Sequence, residues 1–330
     1  MEPSNNDSIP GQPREVRLRP HLMGLITLVL LFCASASVTL AYLSDAPSAG
    51  AAAQTAAVAT PALPDPFAAL DLQAKAVYVK DLTTGKILYA SNASAQLPLA
   101  SLTKVATVLA VSEVLPLNTV ITIPYDTAPP GSAERLAAGE RWHLSDVISF
   151  TLIASSNDGA DILAAAANSS VHAKYPQSPA ASATLWRMNN LAQQLGLNTM
   201  YFLNTNGLDI STTQAGAYGS AYDVATLLSY AASKSPAVFE GTTQDTMSFT
   251  SLDGAQTSAF NTDLALSAIP GLVMGKTGYT DLAGGNLAVI FNIGLSHPVV
   301  AVVLGSTYDG RFSDMKQLVA DSEKAVSEGL

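Results

Sequence analysis

Cysteine is nearly absent from this 330-residue chain. Cys33 stands alone inside an apolar run, so no intrachain disulfide forms and thiol content carries no sign of the compartment. Histidine is almost as scarce. His21, His143, His172 and His297 are scattered, with no HExxH or paired ligand spacing, which argues against a zinc hydrolase; nothing in the residues calls for a metal or another cofactor. Positive charge is thin: 16 Lys and Arg against 26 Asp and Glu leave a net −10 with no dense basic patch. Nucleic acid is set aside as a partner, because its binding draws mainly on phosphate neutralisation. Two local absences matter more. No Lys or Arg occurs between Arg19 and Lys75, and no Glu between Glu140 and Glu240. No internal repeat is visible.

The first of these gaps surrounds the longest apolar run. Leu22 to Leu43 holds no charged residue, and as a helix it would span roughly 33 Å, enough to cross a bilayer. Arg14, Arg17 and Arg19 precede it, so the positive-inside rule places the tail 1–21 in the cytoplasm and everything after residue 43 outside. The same run followed by Ala34-Ser35-Ala36 also fits a cleaved signal peptide, which would leave a secreted protein; apolar residues continuing to Leu43 favour a retained single-pass anchor. A lipoprotein role for Cys33 is weaker, since Leu31 and Phe32 are bulky. Residues 44–67 are rich in Ala, Pro, Ser and Thr and suit an unpacked linker.

The remaining 68–330, 48% hydrophobic over the whole chain, is expected to fold as one α+β domain. Ala76–Val79 and Ile87–Tyr89 flank Asp81–Gly85 as a hairpin. Helical stretches follow at Ser101–Leu115, Leu144–Ala154, Asp158–Ala167 and Leu185–Leu195, with a polar, Pro-containing loop across 168–184. Strands return at Leu272–Tyr279, Leu287–Ile293 and Val299–Leu304, and a final helix starts near Arg311. Strands at both ends with helices between them imply a sheet completed by distant segments.

Ser101-Leu102-Thr103-Lys104 is the first candidate for chemistry, because residues three apart on a helix share a face. A serine hydroxyl needs a neighbour to take its proton, and a lysine does so only when burial or a nearby cation keeps it neutral. Placement at a helix start would add backbone N–H groups near a developing anion. Spacing alone is weak evidence: Ser313-Asp314-Met315-Lys316 repeats it in a stretch that reads as a surface helix. Ser155-Ser156-Asn157-Asp158 offers a hydroxyl and an amide at a helix break, although taken alone it reads more simply as helix punctuation, with Asn157 or Asp158 as N-cap. Met274-Gly275-Lys276-Thr277-Gly278-Tyr279 puts a cation and a hydroxyl on the edge of a strand, with Gly278 leaving room for a ligand, or merely an exposed lysine at a strand end.

Together, S-x-x-K, S-x-N and K-T-G in this order resemble the penicillin-binding proteins and serine β-lactamases. Leu99–Lys104, Ser155–Ala160, Asn206–Asp209 and Lys276–Thr280 are similar to the low-molecular-weight D-alanyl-D-alanine carboxypeptidases, over nearly all of 70–325. The resemblance implies a β-lactamase/transpeptidase-like fold, an antiparallel sheet flanked by helices with a helical subdomain. It implies peptidoglycan stem peptides as substrate and β-lactam antibiotics as covalent inhibitors. Ser101 would be the nucleophile, Lys104 its base and Ser155 a proton relay. Asn157 would hold the substrate amide, Lys276 and Thr277 the terminal carboxylate, and Gly278 would leave room for the ligand. The backbone N–H groups of Ser101 and Tyr279 would form the oxyanion hole.

About fifty residues follow the K-T-G motif, room for two strands and a helix but not for the second β-rich domain many such proteins carry, which is why anchoring is assigned to 22–43. Stretch 168–184 is longer than the resemblance leads one to expect. Three rivals remain. A D,D-endopeptidase would use the same residues on cross-links. A class A β-lactamase needs a loop glutamate where this chain has none, reading Asn204-Thr205-Asn206-Gly207 instead. A non-catalytic wall-binding protein would keep the fold without turnover.

Overall fold

Alternation decides the architecture. In the computed structural model, which describes residues 64–125 and 136–329, side chains of the longest strands point by turns to two different cores. The chain opens with a short 3₁₀ turn, Pro66–Ala69, then β1 (Ala76–Asp81), β2 (Ile87–Ser91) and β3 (Leu97–Pro98). A 3₁₀ turn at Ala100–Leu102 leads straight into α1 (Thr103–Ser112). Next come β4 (Val120–Thr122), β5 (Arg141–His143), α2 (Leu144–Ile153), α3 (Asn157–Lys174) and α4 (Ala183–Gln194). They are followed by β6 (Tyr201–Phe202), β7 (Ala217–Gly219), α5 (Ala221–Lys234), α6 (Pro236–Phe239), β8 (Thr246–Thr250) and β9 (Gln256–Phe260). The chain closes with β10 (Leu272–Thr280), β11 (Gly284–Ile293), β12 (His297–Ser306) and α7 (Gly310–Ser327).

The main sheet is antiparallel in the order β10-β11-β12-β1-β2, so the hairpin from the start of the domain completes a sheet made by its end. Ala76, Tyr78, Ala288, Ile290, Val300, Val302 and Leu304 face a core shared with α1 and α5. Val77, Val79, Leu287, Val289, Phe291, Val299, Ala301 and Val303 face the opposite way, onto Phe312, Met315, Leu318 and Val319 of α7. A sheet covered on both sides explains why β11 and β12 appear in the sequence as nearly unbroken apolar runs. The helical part, α1 to α5, packs Val108, Leu144, Ile148, Leu163 and Met188 into the first of these cores.

Several boundaries differ from expectation for identifiable reasons. At the end of the expected linker, Asp65 caps the turn Pro66–Ala69, and Phe67 is buried with its ring stacked on Tyr89. Much of 168–184 is helical, because α3 runs on to Lys174 and a short 3₁₀ turn follows at Ala180–Ser182. Asn168 is not punctuation there; its side-chain amide donates to the Ala181 carbonyl and accepts from the Thr184 N–H, tying the helix to the start of α4. Between residues 196 and 270, α5 and the β8–β9 hairpin are additions to the expected elements. Among the described residues no helix is long and apolar enough to cross a membrane. The tail 1–21, the segment 22–43 and the linker as far as residue 63 lie outside the described residues.

One buried side chain joins the sheet to the strand that leads into α1. Asn286 on β11, wholly inaccessible, donates to the Pro98 carbonyl at 3.0 Å and accepts from the Gly305 N–H at 2.8 Å. Asn286→Ala removes the partner of the buried Gly305 N–H and of the part-buried Pro98 carbonyl, and urea denaturation should show a loss of about 1–3 kcal/mol. A midpoint unchanged from wild type would mean that this bridge does not hold the two parts together.

Candidate active site

Three stretches far apart in sequence meet where β10, the start of α1 and the α2–α3 junction converge. Ser101 sits in the 3₁₀ turn and Lys104 one turn on, within α1. The turn is not relaxed: Ala100 has a φ of +48°, a left-handed conformation costly for a residue with a Cβ. Its carbonyl is held by the Thr103 hydroxyl at 2.7 Å. A Cβ on Gly207 (φ +85°) would lie 2.0 Å from that carbonyl oxygen, so only glycine lets the 203–209 loop close on it.

Lys104 is completely buried, whereas Ser101 is half-buried and reachable from the cleft. The Lys104 Nζ donates to Ser101 Oγ at 2.7 Å, to Asn157 Oδ1 at 2.8 Å and to the Asn206 carbonyl at 2.7 Å. Burial lowers its pKa to about 7, with the Asp161 carboxylate pulling the other way. Of the two causes the sequence left open, burial and a nearby cation, the structure gives the weight to burial.

The second stretch is equally unusual in backbone. Ser155, between α2 and α3, has a φ of +57°. The N-cap of α3 is neither Asn157 nor Asp158 but Ser156, whose Oγ accepts from the Gly159 N–H at 3.0 Å. Asn157 is thereby freed from capping. With its Oδ1 on Lys104, its side-chain NH₂ remains available to an acceptor in the cleft.

The third stretch is β10, the sheet's edge strand. Lys276 is buried rather than an exposed strand-end lysine, and its Nζ donates to Ser155 Oγ at 2.8 Å and to the Thr277 carbonyl at 3.0 Å. Burial first, then the charges of Lys104 and Arg311, push its pKa well below the ordinary lysine value, against Asp263. Thr277 Oγ1 lies 2.6 Å from Thr262 Oγ1. A Cβ on Gly278 would come within 2.9 Å of the Leu99 carbonyl and 3.2 Å of the Ser101 nitrogen, so glycine brings β10 against the nucleophile's turn. Tyr279 follows, half-exposed, its ring edge-on to Tyr308.

All eight expected residues, Ser101, Lys104, Ser155, Asn157, Lys276, Thr277, Gly278 and Tyr279, thus fall in one region. Five of them form two short hydrogen-bonded chains, Ser101–Lys104–Asn157 and Ser155–Lys276. The control copy behaves as its company suggested: Ser313 and Lys316 are both exposed on α7. Four contributors escaped the sequence. Arg311, buried at the start of α7, donates to the Gly278 carbonyl at 2.7 Å from behind the strand. Thr262 and Asp263 reach the site from the segment after β9, and Asp161 from one turn into α3. Each is a single polar residue whose partner is distant in sequence, which leaves no local signal.

The arrangement supplies a nucleophile with a base in contact, a second hydroxyl beside a cation, and backbone N–H groups at the start of a helix, the parts of an acyl-transfer centre. Comparisons with known proteins agree. Residues 60–307 match the profile of the S11 peptidases, described as D-alanyl-D-alanine carboxypeptidase. The chain is 30% identical to the D-alanyl-D-alanine carboxypeptidase DacF of Bacillus subtilis, over 71% of this chain and 58% of DacF, so it spans less than two thirds of that relative. Penicillin-binding protein D2 of Listeria monocytogenes, solved with cefotaxime bound, superposes with a TM-score of 0.62 at 27% identity, over 76% of this chain and 98% of that one. The DD-transpeptidase K15 of Streptomyces shares the fold at a TM-score of 0.65 and 24% identity, over 76% of this chain and 98% of that one. The fold is therefore the β-lactamase/transpeptidase type. With the profile match running from before β1 to the end of β12, the chain belongs to the S11 family of D-alanyl-D-alanine carboxypeptidases.

Proposed function

We propose that this protein is a serine D-alanyl-D-alanine carboxypeptidase that removes the terminal D-alanine of peptidoglycan stem peptides through an acyl-enzyme on Ser101. The observation that carries the reading is the 2.7 Å contact between Ser101 Oγ and a fully buried Lys104 amine whose pKa lies at about 7. Near neutral pH a large fraction of that amine is unprotonated and able to take the serine proton. Ser101 Oγ bonds to the carbonyl carbon between the two D-alanines, and the developing oxyanion faces the N–H groups of Ser101 and Tyr279. As the C–N bond breaks, the proton passes from Lys104 by way of Ser155 to the departing amine, with the Lys276 Nζ 2.8 Å from the relay hydroxyl. The Thr277 hydroxyl, paired with Thr262, and the nearby lysine receive the terminal carboxylate. The Asn157 NH₂ supports the donor peptide's amide. Water then cleaves the ester and Ser101 regains its proton. β-Lactams, which present a comparable acyl group, would acylate the same oxygen.

Purified protein lacking residues 1–63 should release D-alanine from diacetyl-Lys-D-Ala-D-Ala and be labelled by fluorescent penicillin, both activities vanishing in Ser101→Ala. Labelling without release from this peptide, but with cleavage of cross-linked dimers, would replace the reading with an endopeptidase. A folded protein that does neither would be a binding protein.

We further propose that the enzyme works outside the cytoplasmic membrane, held by residues 22–43 with residue 1 in the cytoplasm. What supports this is the uncharged run flanked by arginines on one side only. In fractionated cells the full chain should stay in the membrane pellet after a carbonate wash, with its domain open to protease in spheroplasts. A shortened soluble form outside the cell would replace the anchor with a cleaved signal, and a cytoplasmic pool would contradict export.

A further inference from the structure

The absence of a loop glutamate leaves open which negative charge, if any, answers the two buried lysines of the cleft. The carboxylate nearest to Lys104 in the hydrogen-bond network comes from a helix. Asp161 stands four residues after Asn157 on α3, hence on the same face one turn along. Both its oxygens are engaged with the 203–209 loop: Oδ1 accepts from the Thr205 hydroxyl and Oδ2 from the Asn206 side-chain amide at 2.8 Å. The Asn206 backbone carbonyl is the one that holds Lys104 Nζ at 2.7 Å. Other bonds lock the same loop: Thr107 Oγ1 donates to the Thr205 carbonyl, and Asn206 Oδ1 accepts from the Leu208 N–H. At its far end Asp209 accepts from Thr280 Oγ1 and the Leu282 N–H, just past β10.

We propose that Asp161 is a positioning residue for the catalytic base: it fixes the Asn206 carbonyl that holds Lys104 and supplies the negative charge that answers it. The proposal rests on the carboxypeptidase reading above. The groups facing Lys104 are few. Ser101, Asn157 and Asn206 are neutral, Lys276 approaches from β10, and Asp161 is the described carboxylate that favours the protonated amine. Asp263 and Arg311 act on Lys276 from the other side of β10. Asp161 is exposed to solvent and each of its oxygens accepts one hydrogen bond from the loop, so its path to the base runs through Asn206 to Lys104. Its outer side opens on a groove of about 290 Å³ lined by Ala164, Asn168, Leu203 and Asn204, which gives a substituted side chain room to settle.

The sign of the effect is definite. A carboxylate near an ammonium holds the proton on, so removing the charge eases deprotonation of Lys104 and raises its neutral fraction at any given pH. The test is the pH dependence of Ser101 acylation by fluorescent penicillin, measured as a second-order rate for wild type, Asp161→Asn, Asp161→Ala and Asp161→Glu. The acidic limb should move to lower pH by about half a unit in the two uncharged variants, and return in Asp161→Glu. The alanine variant covers the case in which the asparagine amide cannot seat against two donors, and thermal melts certify that each protein is folded. A limb that stays in place, with or without a uniform drop in rate, would overturn the proposal, because a merely structural role lowers the rate without moving the limb. If wild type is not acylated at all, the carboxypeptidase reading falls first and the inference with it.

Discussion

A primary amine shut away from water has either to find acceptors for its protons or to give one up, and Lys104 is arranged to do both. Three oxygens surround its Nζ, from Ser101, Asn157 and Asn206, and complete burial makes the charged form expensive. Everything else near the site can be understood as what it takes to keep that amine in place. The three acceptors belong to the turn before α1, the start of α3 and the 203–209 loop, so the base is correctly held only when three segments distant in sequence are brought together. Lys276 repeats the arrangement on a smaller scale, buried against Ser155 with a second cation close enough to be felt.

Holding these pieces together requires strain and close approach, and the sheet bears both. The left-handed residues Ala100 and Ser155 lie immediately beside or at the two hydroxyls. Such conformations persist only where surrounding structure over-determines them. Here the constraint comes from β10 and β11. Gly278 presses the edge strand against the turn of Ser101, Arg311 grips the same strand from behind, and Asn286 ties β11 to the residue that begins the approach to α1. A sheet packed on both faces is stiff, and a stiff edge is what an oxyanion hole shared between a strand and a helix start demands.

How much of this was legible in the sequence depended on whether the signal was local. The hairpin at residues 76–91 and the strands 287–293 and 299–304 announced themselves because alternation and burial act on consecutive residues. The helix through 168–174 did not: asparagine and serines signal a helix end, and only the contacts of Asn168 with Ala181 and Thr184 show why it continues. At the site, Ser101 and Lys104 could be paired by helical spacing, yet Ser313 and Lys316 have the same spacing and sit exposed, so the motif gained meaning from its companions in the family. Asp161, Thr262, Asp263 and Arg311 were invisible for the opposite reason. Each acts on a residue that folding alone brings near, and a single charged or hydroxyl residue in a sequence says nothing of what it will face.

Lys104 should behave unlike the other lysines of the protein, and the direct test is to watch it titrate. In protein labelled at the lysine Cε carbons, with Lys104→Arg and Lys276→Arg used to assign the two buried signals, the chemical shift of Lys104 should turn over near pH 7. That of Lys276 should turn over below the value of about 10.4 ordinary for lysine. If Lys104 instead titrates with the surface lysines, the amine beside Ser101 is a permanent cation at neutral pH, and the role of general base given to it here is wrong.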